Sequence, residues 1–455
     1  MQGKHVKIEK ESVFDLLGFL FKGLKNEKGI PLENDATRDI SFYFMQFLDD
    51  QGKGFLLKVC KTLREKGVIE IIKWGKNEGT LCDYAAYHGF LFLLQWAREN
   101  GCPWDEDTCS WTAFGGHLNV LQWVRIQNPP CPWDIWTCVK AAQEGHLNVL
   151  QWAHENGCPW NENTCSEAAQ GGHLNVLQWA RAQVPPCLWN ERTCARAAFG
   201  GHLNVLQWAH ENGCPWNESI CAEAALGGHL NVLQWARKQV PPCRGSILTC
   251  ANAARGGHLN ILQWLRIQDP PCPWNDRTCA RAAEGGHLKV LQWARAQDPP
   301  CPWDEDTCSW AALGGHLNVL QWVRIQNPPC PWDKRTCSEA AKGGHLNVLQ
   351  WASAQDPPCP WDECTYAWAA LGGHLNILKW IHAQIPPCPL DERVCSWAAF
   401  GDHLDVLQWA RAQVPPCPWD KDTCLFAAEK KRLKILRYAI ENKCPGYEKY
   451  INTFE

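Results

Sequence analysis

Residues 306–333 read DTCSWAALGGHLNVLQWVRIQNPPCPWD, and residues 107–134 repeat the same 28 letters with only two changes. The inner phrase GGHLNVLQW recurs without change from Gly115, Gly171, Gly200, Gly227, Gly314 and Gly343. Near copies start at Glu144, Gly256, Gly285, Gly372 and Gly401. Aligned on the Trp that ends this phrase, the units run from Trp74 to Trp409, with Tyr438 as a degenerate last case. Most steps are 29 residues and some are 27. Self-similarity at such a period marks a solenoid of stacked units rather than a row of separate globules.

Each unit reads as two helices. The first, T-C-x-x-A-A-x-G, takes its Thr as a plausible N-cap and stops at glycine. The second is LNVLQWARAQ, as from Leu174. There Leu174, Val176, Leu177, Trp179 and Ala180 form a broad apolar stripe, and Asn175, Gln178 and Arg181 fall on the opposite face. Two terminators account for the two step lengths. One is Pro-Pro, as after Gln183, which a helix cannot enter; the other is Asn-Gly, as after Glu155, where glycine suits a left-handed cap. A stripe this wide needs neighbouring units to bury it. The expected fold class is therefore all-α: about fourteen stacked helix–turn–helix repeats with short connectors.

The totals narrow the function. Across 455 residues, 44 Lys plus Arg balance 48 Asp plus Glu, so no overall field favours nucleic acid or anionic lipid. A basic cluster, Lys430, Lys431, Arg432, Lys434 and Arg437, reads as a solvated cap. The opening MQGKHVKIEKES is not a signal peptide, and VFDLLGFLF from Val13 is too short to span a bilayer. These features predict a cytoplasmic protein with its 27 cysteines mostly reduced.

The order T-x-x-x-A-A-x-x-G-H-L-x-V-L, seen at Ala311, Ala312, Gly315, His316, Leu317, Val319 and Leu320, resembles the ankyrin repeat. The Trp-rich wording with CPWD loops is similar to expanded ankyrin arrays of algae-like eukaryotes and large DNA viruses. The likeness covers roughly residues 58–445 and implies an ankyrin-like solenoid that binds protein along its concave, first-helix side. Two departures stand out: a period shorter than 33, and Thr-Cys in place of Thr-Pro-Leu-His. The missing residues fall in the connector, so long projecting fingers are not expected.

Three residue types invite a chemical reading. Cysteines precede Pro-Trp (Cys301, Cys330) and follow Thr (Cys308, Cys337), seven apart within a unit. Zinc would need four converging ligands, and neighbouring units stand ~8–10 Å apart, so small buried residues are the expectation. One His per unit, such as His117 or His146, predicts a ring nitrogen bonding a turn carbonyl or amide. The loop Trp, as at Trp303 and Trp332, is expected to plug the joints between units. No phosphate loop, dinucleotide fingerprint, metalloprotease pair or nucleophile elbow is present, so no enzyme, cofactor or metal is expected.

Recognition should lie where the units differ. The second residue after Thr-Cys and the residue after Ala-Ala vary together, three apart on one helical face. They pair Trp111 with Phe114, Trp310 with Leu313, Trp368 with Leu371 and Trp397 with Phe400. The expectation is a solvent-facing binding row, with Trp368, Leu371, Trp397 and Phe400 as one continuous apolar patch. The function expected is a monomeric, non-enzymatic scaffold for a protein partner, with no nucleic acid or membrane. Two alternatives stay open: a ubiquitin-ligase-like adaptor using residues 1–57 as more than a cap, and a thiol-based metal or redox protein. Residues 446–455 would be a tail.

Overall fold

The computed structural model describes residues 80–99, 101–240, 242–243, 245–384 and 390–454. The segment 1–57, read as a cap or adaptor, and the repeat around Trp74 lie outside the described residues. The chain divides into two units, Met1–Trp160 and Asn161–Glu455. Every regular element among the described residues is a helix.

The first unit shows three helical pairs: α1 (Thr80–Tyr87) with α2 (Leu91–Glu99), α3 (Glu106–Phe114) with α4 (Leu118–Arg125), and α5 (Ile135–Gln143) with α6 (Leu147–Glu155). The second shows ten, from α7 (Glu162–Gln170) and α8 (Leu174–Ala182) to α25 (Lys421–Glu429) and α26 (Leu433–Glu441). A 3-10 segment, Tyr447–Phe454, follows. Within each unit a first helix packs on the first helix of the next pair and on its own second helix. The fold is a stack of helix–turn–helix repeats.

Small residues make that stacking close. In α17 (Glu305–Leu313), Cys308, Ala311 and Ala312 are fully buried, and in α18 (Leu317–Arg324) so are Val319, Leu320 and Val323. Each fully buried Leu contributes roughly 1.5–3 kcal/mol relative to exposure. The expected stripe is too wide by two positions. In α8 only Val176, Leu177 and Ala180 are fully covered, while Leu174 and Trp179 remain half-exposed. The Trp of this phrase is an edge residue.

The capping expectation also needs correction. The Thr of Thr-Cys is the third helical residue, already buried, and an Asp or Asn three positions earlier is the N-cap. Asp333, for example, accepts from the Arg335 amide at 3.0 Å. In α21 (Glu363–Leu371) the Asp362 amide donates to the Thr365 hydroxyl at 3.4 Å, so the Thr returns the bond to the cap.

Both connector versions anchor at one carbonyl. After a Pro-Pro loop the Cys330 amide donates to Val323; after an Asn-Gly loop the Cys214 amide donates to Ala209, the equivalent position. Likewise Gln326 or Asn212 closes the second helix by donating to the carbonyl of its Trp, Trp322 or Trp208. Two extra residues therefore bulge outward without moving the next helix.

Candidate interaction surface

Before asking what the array could bind, the residues that hold it together must be separated from those left over. The Gly-Gly-His turn belongs to the first group. Gly315 lies at φ +71°, which glycine adopts without penalty, and the His316 amide closes the turn on Ala311 at 2.9 Å. The His316 ring reaches back to the preceding repeat, where its Nε2–H donates to the Glu284 carbonyl at 2.9 Å. A Cβ on Gly315 would stand 2.4 Å from the His345 ring of the following repeat, and one on Gly343 would stand 2.5 Å from the Leu313 carbonyl. The expected His-to-carbonyl bond is present, and it crosses between repeats. Burial lowers the pKa of His117 and of His229, so these rings resist becoming cations.

Where the motif breaks, its logic shows. Asp402 holds the second-glycine position, at φ +69°, and the next repeat carries Arg432 in place of His. No ring needs the space above residue 402, and Arg432 instead stands 3.6 Å from the Asp402 carboxylate.

The cysteines are buried, as expected, but their partners are not the residues seven away. Each first-helix Cys meets the Cys of the connector that follows, 20 or 22 residues on. Cys330 donates to the Asp304 carbonyl at 3.3 Å and so ties its connector to the N-cap of its own repeat. Contact with Cys359 and burial push the Cys337 thiol well up, which leaves little nucleophilic thiolate at neutral pH. Cys221 and Cys243 form another such pair, the Cys221 thiol donating to the Cys243 carbonyl at 3.6 Å. Among the described residues no group of three or more His, Cys, Asp or Glu side chains is placed to hold a metal ion.

The loop Trp stands at the joint between units, between the second helices of successive repeats, but is not fully covered there. Trp332 is half-exposed, with the Arg324 guanidinium 4.1 Å over its face and Trp351 edge-on at 5.9 Å. Arg324 also donates to the Cys330 carbonyl at 2.6 Å. In two Asn-Gly connectors a His takes the place of the Arg, as where His154 stacks on Trp160 at 3.8 Å, while before Trp104 the Arg is kept, Arg98 lying 3.9 Å over its ring. These groups clamp the connector on the outside of each repeat.

What remains is the variable face of the first helices, and it is more structured than a tolerant surface. Trp111 is 38% exposed; Phe114, Trp310, Leu313, Trp368, Leu371, Trp397 and Phe400 are half-buried. In the first unit Trp111 and Phe114 each meet Tyr87, at 5.8 and 5.7 Å, and Lys140 lies 5.5 Å from Phe114. In the second, charged pairs come first: Glu284 holds Arg255 at 3.0 Å and Arg281 at 2.6 Å, with Arg281 5.2 Å from Trp310. Then comes a chain of rings. Trp368 stacks on Trp397 at 5.9 Å; Trp397 meets Phe400 at 5.8 Å and Phe426 at 6.4 Å; Phe400 and Phe426 are 5.7 Å apart. Phe426 was not among the expected site residues, although it occupies the same register as Trp397. Leu371 makes the same turn contact as its equivalents, its carbonyl accepting from His403 at 3.0 Å.

The chain is a solenoid of stacked helical pairs. No family model matches the chain, and no curated protein matches it. Among solved structures it is similar to the human ASB11 ankyrin repeat domain, with 14% identity over 34% of this chain and 80% of that chain. The TM-score of that match is 0.27, so the fold rests on the repeat geometry itself. No described helix is long and apolar enough to cross a membrane.

Proposed function

We propose that this chain is a non-enzymatic protein-binding scaffold whose partner lies on the first-helix face. The observation that carries the reading is the ring cluster Trp368, Trp397, Phe400 and Phe426, half-buried and continuous across three consecutive first helices. Trp is enriched among residues that dominate interfaces, and clustered aromatic surface is costly to leave in water. Trp310, Leu313, Trp111 and Phe114 would extend the surface or serve a second partner.

The test is capture from extract of the native cell, comparing wild type with a variant carrying Trp368→Ser, Leu371→Ser, Trp397→Ser and Phe400→Ser. A partner retained by wild type and lost by an equally helical variant is the expected result. Identical capture by both would reject this face as the binding surface.

A further inference from the structure

The basic cluster at 430–437 takes on a different meaning beside the ring cluster. Lys430 and Lys431 occupy the places of the two junction glycines, and Lys431 sits at φ +55°. Lys430 extends its ammonium to 4.6 Å from the Phe400 ring, so the positive charge is continuous with the aromatic surface rather than remote from it. Lys430, Lys431 and Lys434 are all exposed. The nearby acids offset them only in part: Asp402 is engaged by Arg432, which leaves Glu429 and, in the register of Lys434 one repeat earlier, Asp405 against three exposed lysines. At the far end of the rings Lys342 lies 4.7 Å from Trp368, but Glu339, 3.7 Å away, already balances it. The face is therefore polar along its length, aromatic first and cationic at the Lys430 end.

We propose that this face takes a short acidic peptide segment, with apolar side chains on Trp368, Trp397, Phe400 and Phe426 and carboxylates following on Lys430, Lys431 and Lys434. The rings touch in sequence at about 6 Å per step, so four or five extended residues at ~3.3 Å each cover them. The carboxylates then come within reach of the lysines in the next two or three residues. This inference rests on the scaffold reading and names the chemistry of its partner.

The probe is a fluorescein-labelled nonapeptide, Leu-Phe-Gly-Leu-Trp-Glu-Glu-Asp-Glu, titrated with the full chain and read by anisotropy. Its amide counterpart (Gln and Asn for the acids) and a counterpart with Ser for the apolar residues are titrated alongside. The acidic peptide should bind at least tenfold more tightly than either, and its affinity should fall as salt rises. Lys430→Glu with Lys431→Glu and Lys434→Glu should weaken it about tenfold and abolish the preference for acid over amide. Lys238→Glu, an exposed charge beyond the end of a second helix and far from the ring cluster in sequence, should change nothing. Equal binding of acidic and amide peptides, or no binding of any of them, overturns the proposal. Loss of the captured partner with the aromatic variant but not with the lysine variant would retain the scaffold and reject the acidic ligand. Loss with neither would reject both.

Discussion

The Gly-Gly-His turns and the first-helix faces lie a few residues apart in every repeat, yet they obey opposite rules. At the turn, each side chain is fixed by the repeat beside it: the His345 ring fills the space over Gly315 and bonds the Leu313 carbonyl. On the face, neighbours adapt to one another pairwise. Arg255 answers Glu284 29 residues later, and Trp368 answers Trp397 at the same spacing. The first set is nearly uniform because changing one member leaves its neighbour without a fit, and where it does change, at Asp402 and Arg432, both members change together. The second set can vary because its contacts stay half in water, where an imperfect pair costs little.

Core and junction substitutions should break the array, and face substitutions should not. Leu320→Ala, at a fully buried position, is expected to cost about 2–5 kcal/mol, measured by urea unfolding. Two left-handed glycines give a sharper contrast. Gly201 lies at φ +75° with the His229 ring 2.3 Å from where a Cβ would go, whereas Gly213 lies at φ +80° with nothing within 4 Å. Gly213→Ala should cost roughly 1 kcal/mol for backbone strain alone, and Gly201→Ala at least twice that. Equal losses would show that the His ring yields freely and is no constraint on the turn.

Smaller effects are expected on the face. Trp397→Ser should cost about 1–3 kcal/mol, no more than the core loss at Leu320, since the ring stays partly in water, while removing partner capture. A large stability loss would move Trp397 into the core set. Arg255→Ala should fall within ~0–1 kcal/mol by the same assay, because the pair with Glu284 is partly solvated.

Acid gives the gentlest separation of the two regions. The pKa of His229 is lowered in the folded chain, so the unfolded chain binds more protons once pH falls through about 6.5. Stability should therefore be full above pH 6.5 and decline below it, and His229→Gln should reduce that slope. A slope unchanged by the substitution would place the acid sensitivity in other groups.

Much of this was legible in the letters. The period, the helical pairs, the glycine turns and the His-to-carbonyl bond follow from spacing and residue type. The misplaced N-cap had a visible signal, since Asp or Asn precedes the Thr by three positions, the spacing of a capping box. The cysteine partners were signalled too: the Arg or His clamp stands eight residues before the loop Trp in Pro-Pro connectors and six in Asn-Gly ones. The loop therefore moves as one piece with its Cys. Hydrophobicity hid the second-helix Trp, which counts as core on a scale but is too large to be covered at the edge of a two-helix layer.

By itself, the sequence determined which residues share one side of a helix, because the 3.6-residue period fixes direction along a helix. It also determined where the chain must turn, because only glycine accepts those angles beside a neighbouring ring. The tertiary structure alone decided what stands opposite: Glu284 beside Arg255, Trp397 beside Trp368, Lys430 over Phe400. Those contacts join residues about 30 positions apart, and their existence depends on how closely one repeat settles on the next. That spacing is set by the packed volume of Ala, Cys, Val and Leu between the helices, which no single repeat contains.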